Sequence, residues 1–204
     1  MAARSSPRYR SLQRQGRILN AAIECFTRLG FDATTLAEIR SRSGASIGSI
    51  YHHFSSKQEL AAALYVEGLR DYQEGLLAEL GRHQGCASGI RATVRYHLRW
   101  IAKHPDWARY LLEMRRAESV AAVEEKIQAM NRKFFEEIRR WCEPHLKRGV
   151  LKRLPEELYI AVIGGPSQEF ARRWLAGRAK TDITQAARVL ADAAWNSLRT
   201  KRHR

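Results

Sequence analysis

Hydroxyl, imidazole and lysine side chains are concentrated in one short stretch of this 204-residue chain. The stretch runs from Ser46 to Lys57 and has the sequence SIGSIYHHFSSK. Such groups donate hydrogen bonds to phosphate oxygens or to the edges of bases. Ser55, Ser56 and Lys57 precede the predicted fourth helix, whose free N-terminal backbone amides can hold a phosphate while Lys57 adds positive charge. The chemistry that this stretch could do is therefore recognition of a nucleic acid.

A helix, a tight turn and a second short helix are predicted to position these groups. Thr35, followed three residues later by Glu38, has the spacing of a capping box, which starts a helix. Gly44 fits the turn, and Ser46 can cap the next helix, over residues 47–53. The second helix of such a pair is the one that enters the major groove of DNA. An ordinary three-helix cluster with solvated polar residues has the same pattern, so the pattern alone leaves both interpretations open.

The remainder of the chain has helical periodicity. A first helix is predicted from Arg14 to Leu29, and a fourth from near Lys57 to about Leu80. Gly164-Gly165-Pro166 should kink one of the later helices. No stretch alternates with a period of two for long enough to form a strand. The predicted fold is all-α, with about nine helices.

These elements divide into three predicted regions. Residues 1–11 are polar and basic and should form a flexible arm. Residues 12–56 should form a three-helix domain that contains the helix-turn-helix. Residues 57–204 should form a second, C-terminal helical domain.

The charge of the chain favours polyanionic partners without locating their site. The formal net charge is +15, divided into +5 over residues 1–60 and +10 over residues 61–204. A basic surface attracts nucleic acid or anionic lipid. Because the positive charge is spread along the chain, a generally basic protein explains it equally well.

Several other classes of protein are disfavoured by the sequence. There is no Ser/His/Asp set, no paired carboxylates and no phosphate-binding loop, so we expect no enzymatic activity and no cofactor. Cys25, Cys86 and Cys142 are widely spaced, which indicates reduced thiols and no metal site. No apolar run is long enough to span a membrane, and no secretory signal is apparent. A cytoplasmic protein is expected.

The segment GRILNAAIECFTRLGFDATTLAEIRSRSGASIGSIYHHFSSKQEL resembles the N-terminal domain of the TetR family of regulators, the tetracycline-repressor-like proteins. The matching positions extend from Ile18 to Leu60, about the first quarter of the chain. The rest is similar to the family in its helical plan and length. The resemblance implies a DNA-binding, ligand-responsive transcriptional regulator, with repression as the usual mode, that binds a palindromic operator as a homodimer.

The resemblance also implies roles for individual residues. Positions that commonly contact the DNA backbone in the family correspond to Thr35, Ser46, Tyr51, His52 and Lys57. Positions that contact bases correspond to Ile47 and Ser49. Two residues depart from the usual pattern: Arg40 could add a phosphate contact, and Ile47 could pack on a thymine methyl group or make no base contact.

For the C-terminal domain the resemblance implies dimerisation through the last two helices and a pocket for an unknown small-molecule inducer. Alanines on the final helix would allow close helix contact, although packing within one chain would give the same pattern. Aromatic residues at helical spacing more often form a core than a ligand pocket. The candidates for the pocket are Trp100, Trp107, Tyr110, Met114, Phe134, Trp141 and Gly165.

Two alternative functions stay open at this point. A non-specific basic protein that coats DNA would depend on charge alone and would prefer no operator. A thiol sensor would use Cys25, Cys86 or Cys142, although each lies in or beside a helical stretch where a cysteine is usually buried.

Overall fold

The computed structural model describes residues 7–115 and 117–200, with side chains from residue 15 onward. Ten helices are found in these residues, and their bounds are α1 Pro7–Leu29, α2 Leu36–Ser43, α3 Ile47–His53, α4 Lys57–Gly81, α5 Cys86–Lys103, α6 Pro105–Met114, α7 Glu118–Ala121, α8 Glu124–Lys147, α9 Glu156–Leu175 and α10 Ile183–Leu198. The only β-type pairing in the described part is one isolated antiparallel bridge between Leu151 and Arg199. The all-α prediction is confirmed.

Two details of the predicted helices were wrong. The first helix begins at Pro7 instead of Arg14, so residues 7–11, which we assigned to the arm, are helical. Proline fits the first turn of a helix, and no helix-breaking residue follows it in this polar stretch. The tenth helix is α7, which has four residues and is too short to show periodicity in a sequence.

Contacts divide the chain into two compact units. The first unit comprises residues up to Leu69 together with Asp106–Lys126, and the second comprises Arg70–Pro105 and Ile127–Arg204. This division differs from the predicted boundary at residue 57, because the first half of α4 and all but the first residue of α6 pack with the N-terminal helices. A boundary inside a continuous helix leaves no trace in sequence periodicity.

The core of the first unit is built from the apolar faces of α1 to α4 and α6. Ile18 and Ala22 on α1, Ile39 on α2 and Ile50 on α3 are fully buried. The Phe26 ring stacks on Tyr110 of α6, with ring centroids 5.9 Å apart. Helix α2 packs on α1 and α3 packs on α2, so this core positions the helix-turn-helix.

In the second unit α5 and α10 pack together, and α9 packs on both. Small residues of α10 form this contact: Ala186, Ala187 and Ala194 are buried within the chain, whereas Ala193 is exposed. Most of the alanine stripe that we had considered for dimerisation therefore belongs to the intramolecular core. Helix α9 is continuous through Gly164-Gly165-Pro166. No described helix combines the length and apolar character needed to cross a membrane.

Candidate nucleic-acid interface

Helix α2 begins with the predicted capping box. The Thr35 hydroxyl accepts a hydrogen bond from the Glu38 amide at 3.2 Å, and the Glu38 carboxylate accepts one from the Thr35 amide at 2.7 Å. The Thr35 hydrogen bonds also hold the pKa of Glu38 below its usual value. At the other end, Gly44 adopts the left-handed conformation at φ 63° and its amide donates to the Arg40 carbonyl. Glycine suits this position because it has no Cβ to clash there.

Helix α3 presents one buried and one exposed face. Ser46 caps it by accepting from the Ser49 amide at 3.1 Å. Ile50 is fully buried, while Ile47 is 43% exposed and Tyr51 is 53% exposed. Residues four apart lie on the same side of a helix. Ile47 and Tyr51 therefore form the centre of the outward face, beside the exposed side chain of His52.

Lys57 has a different position from the one that the sequence suggested. Its ammonium group donates to the carbonyl oxygens of Phe31, Asp32 and Thr34 at 2.8, 3.1 and 2.9 Å. It also lies over the Phe31 ring, 4.6 Å from the centroid. An ammonium group has three protons to donate, so all three are used within the chain. A phosphate contact would require one of these bonds to break.

The start of α4 is also already occupied by a side chain of the protein. Glu59 accepts from the backbone amide of Ser55 at 2.7 Å and from its hydroxyl, and Ser56 caps the Glu59 amide. The hydrogen bonds from Ser55 lower the pKa of Glu59, so this carboxylate is ionised at neutral pH. A negative charge there disfavours the phosphate that we predicted at this helix start. The sequence did contain a sign of this arrangement, because Ser56 and Glu59 have the three-residue spacing of a helix N-terminal cap.

Two other candidates for DNA contact are differently placed. The Thr35 hydroxyl donates to Glu38 at 2.9 Å and is thus engaged in the capping box. Arg40 is exposed on α2. Its neighbour Arg42 makes an ion pair with Glu24 at 3.4 Å.

The predicted ligand-binding residues do not come together in one place. Phe134 and Trp141 line an apolar cavity of about 550 Å³ in the second unit, and Gly165 lines a smaller one of about 390 Å³. Trp107, Tyr110 and Met114 lie in the first unit, where the Tyr110 hydroxyl donates to the Ala61 carbonyl at 2.8 Å. They line neither of these two cavities, and Tyr110 is buried in the core of the first unit.

Trp100 lies in the second unit and lines a third cavity, also of about 550 Å³, together with residues such as Tyr96 and His104. Its ring is buried edge-on against Tyr72, and its indole nitrogen donates to Asp71 at 2.8 Å. Trp100 therefore lines a different cavity from Phe134, Trp141 and Gly165. Tyr72, Phe135 and Tyr159 line the larger cavity and were missed, since nothing local distinguishes a cavity aromatic from a core aromatic.

His97 on α5 lines the smaller cavity. Its Nδ1 is hydrogen-bonded to the Tyr72 hydroxyl at 2.9 Å. Burial disfavours the charged imidazolium and lowers the pKa of His97 to about 4, although the neighbouring Gln168 side chain offsets a little of this. The group is neutral at physiological pH.

Acidification is expected to destabilise the protein through His97. Between pH 6.5 and 4 the unfolded chain binds a proton that the folded chain does not, so stability falls as pH falls. From pH 7 to 5 this contributes a loss of about 2 kcal/mol. Urea unfolding of the wild type and of His97→Gln at both pH values measures it. Burial also lowers the pKa of His145, but this residue is present in both proteins, so its contribution to the pH dependence cancels. An equal pH effect in the two proteins would contradict the assignment.

The two units define a helix-turn-helix protein with a second all-helical unit. Residues 18–64 match the family described as "Bacterial regulatory proteins, tetR family". The repressor AcnR of Corynebacterium jeikeium is 32% identical over 83 residues, which are 41% of each chain, so the match spans less than half of that relative's length. The activator FasR of Mycolicibacterium smegmatis is 27% identical over 191 residues, 91% of this chain and 83% of that one.

Solved structures share the whole fold. A TetR-family regulator from Marinobacter aquaeolei superposes with a TM-score of 0.80 at 19% identity, covering 95% of this chain and all of that one. FadR from Bacillus subtilis, solved with stearoyl-CoA, has a TM-score of 0.75 at 18% identity, covering 88% and 96%. Residues 18–64 thus match the tetR family of bacterial regulatory proteins, and the chain as a whole shares its fold with solved structures of that family.

Proposed function

We propose that this protein is a sequence-specific DNA-binding transcriptional regulator, acting in the cytoplasm as a homodimer on a palindromic operator, and that a small molecule controls it. The observation that carries the proposal is the outward face of α3. A large apolar side chain, Ile47, and a phenol, Tyr51, stand exposed on a helix that the buried Ile50 anchors. Exposing these groups to water brings no benefit to folding, whereas a major groove would cover both.

The contacts divide by their chemistry. Ile47 and Ser49 in the first turn of α3 would face base edges, where an aliphatic group can pack on a thymine methyl. Ser46, Tyr51 and His52 would donate to phosphates, which position the protein without carrying sequence information. Arg40 is free to swing toward a phosphate because it is exposed. Thr35 would contribute to DNA binding through the start of α2, which it caps.

Apolar exposure on α9 and α10 supports the homodimer. Val189 on α10 is 63% exposed, and Leu158 and Ile160 on α9 are each 45% exposed. Together with the exposed Gly165 and Ala193 they offer small and apolar groups for a second copy of the chain. A dimer would place two recognition helices on half-sites about one helical turn apart.

The cavity of about 550 Å³ supports control by a small molecule, because its volume is within the range of ligand pockets. Repression is the mode we propose, as in AcnR, although FasR is named as an activator. A repressor would bind its operator without the small molecule and release it when the cavity is filled. Such a protein binds and does not catalyse.

Selection from random duplex DNA tests the function. The purified protein is incubated with the duplex pool at about 150 mM salt, which suppresses binding by charge alone, and the bound fraction is sequenced. We expect an enriched palindrome with two equal half-sites. A bound pool without enrichment would instead identify a basic coating protein, and an enriched single half-site would overturn the dimer.

Two variants of α3 are expected to separate phosphate contacts from base contacts. Tyr51→Phe removes one hydroxyl and should weaken binding to all sequences about fivefold to tenfold. Ile47→Ala should change the preferred base at one position of each half-site, with a smaller loss for other sequences. Repeating the selection with each variant, alongside direct affinity measurements on the wild-type site, checks both. A changed base preference in Tyr51→Phe would overturn the assignment of its hydroxyl to phosphate.

A further inference from the structure

His97 has a buried nitrogen without a hydrogen bond of normal geometry in the described part of the chain, although the Gln168 side chain is near enough to raise the pKa of His97 slightly. Its Nε2 atom is itself buried and has no hydrogen-bond partner among the described residues. Gln168 lies beside it on the wall of the same cavity. Leaving a polar group buried without a partner costs free energy, and native proteins rarely do so without a function.

The hydrogen bond on the opposite side of the ring determines where the proton lies. The bond of the partly buried Tyr72 hydroxyl to His97 Nδ1 is the one that this hydroxyl makes in the described part of the chain. If the hydroxyl donates, its own proton is satisfied and the imidazole proton is on Nε2. The other tautomer would leave the phenol proton without an acceptor among the described residues. Nε2 is therefore a hydrogen-bond donor directed at the cavity.

The cavity that His97 lines adjoins the larger apolar one. Five residues line both of them: Tyr72, Thr93, Ile160, Ile163 and Gly164. The combined space thus has a wide apolar part, walled by residues such as Phe134 and Trp141, and a narrower part that contains His97 and Gln168.

The lining of the larger part carries no uncompensated charge. Arg139 is paired with Glu156 at 2.7 Å, and Glu143 with Lys147 at 2.8 Å. Burial raises the pKa of Cys142 to about 11, so its thiol is uncharged. An ionised ligand would find no counter-charge in such a site and would lose its hydration.

We infer that the two cavities form one site for an uncharged, mainly apolar molecule that carries a carbonyl group, which accepts a hydrogen bond from His97 Nε2. Gln168 supplies a second polar contact at the same end. This inference names the ligand class for the cavity of the proposed regulator, and it rests on that function for its biological role. Its test uses the protein without DNA, so failure of DNA selection and failure of this site are separate results.

Three probes of similar shape test the ligand class. Benzophenone carries one carbonyl, diphenylmethane lacks it, and 4-benzoylbenzoate adds a carboxylate. Equilibrium dialysis against the full chain gives a dissociation constant for each. We expect benzophenone to bind, and 4-benzoylbenzoate to bind at least about tenfold more weakly, since its charge must be buried. Failure of benzophenone to bind, or tighter binding of the carboxylate, would overturn the inference.

Variants of His97 test the donor. His97→Phe keeps a ring of similar size but has no N–H, and the preference for benzophenone over diphenylmethane should fall about fivefold to tenfold. His97→Gln, whose amide can replace Nε2, should keep most of the preference. The control is His104→Phe, since His104 packs on Trp100 and lines neither cavity. An unchanged preference in His97→Phe would overturn the role of Nε2.

A measurement on the wild type alone guards against a variant that does not fold. Benzophenone labelled with ¹³C at the carbonyl is titrated with the protein. A hydrogen bond to the oxygen shifts the carbonyl resonance downfield of its position in cyclohexane. A bound resonance at the cyclohexane position would mean that the carbonyl has no donor, and would overturn the inference.

Discussion

Lys57→Met is expected to lower the free energy of unfolding by about 3 kcal/mol. The substitution removes three charge-assisted hydrogen bonds to the carbonyls of Phe31, Asp32 and Thr34, together with the cation–π contact to the Phe31 ring. Hydrogen bonds to charged groups are each worth about 1.5–3 kcal/mol, but water can replace part of them at this half-buried site. The connection between α1 and α2 loses the group that holds its carbonyls together. Urea unfolding measures the effect.

The salt dependence of DNA binding separates this role from a phosphate contact. If Lys57 neutralised a phosphate, Lys57→Met would keep wild-type stability and would reduce the slope of log affinity against log salt by about one. From the structure we expect Lys57→Met to lower stability and to leave the slope of log affinity against log salt unchanged. Arg40→Met is the matched control: it removes an exposed cation from α2, and a change in stability within about 0.5 kcal/mol is expected.

The contrast between Thr35 and Lys57 shows which parts of the interface the sequence could predict. The capping box of α2, the turn at Gly44 and the cap at Ser46 are made by residues three or four apart, so their spacing alone predicted them. The acceptors of Lys57 lie 23 to 26 residues before it. A lysine beside a helix start looks the same in sequence whether it binds a phosphate or a distant carbonyl.

The residues that line the cavities were harder to predict for the same reason. Tyr72 and His97 lie 25 residues apart and meet only when α4 and α5 pack. Trp107 and Tyr110 have the same helical spacing as the aromatic residues that line the cavities of the second unit. They lie on α6, however, which packs into the first unit. Periodicity indicates which face of a helix is covered, but it does not identify the helix or the second copy of the chain that covers it. The alanines of α10 illustrate this, because packing on α5 and packing on a second copy require the same small side chains.

Gly89→Ala is expected to destabilise the protein by about 3 kcal/mol, at the upper end of the cost of overpacking a core. Gly89 is buried on α5, and an added Cβ would clash with Cζ2 of the Trp141 indole. The indole is held in place because its nitrogen donates to the His83 carbonyl at 2.9 Å and its ring packs 4.5 Å from His145. Thermal and urea unfolding measure the loss.

The matched control is Gly81→Ala at the end of α4, where an added Cβ meets nothing within 4 Å. There the substitution should be neutral or stabilising by about 0.5–1 kcal/mol, because alanine restricts the unfolded chain. Trp141→Leu supplies the decisive comparison. If the clash with the indole is the cause, Gly89→Ala should lower the free energy of unfolding far less in the Trp141→Leu background than in the wild type. Such a difference is the coupling expected between neighbouring sites. Equal costs in both backgrounds would contradict a direct clash.

Because Trp141 also lines the apolar cavity, Gly89→Ala should weaken benzophenone binding, whereas Gly81→Ala should not. This result would link the packing of α5 and α8 to the proposed ligand site.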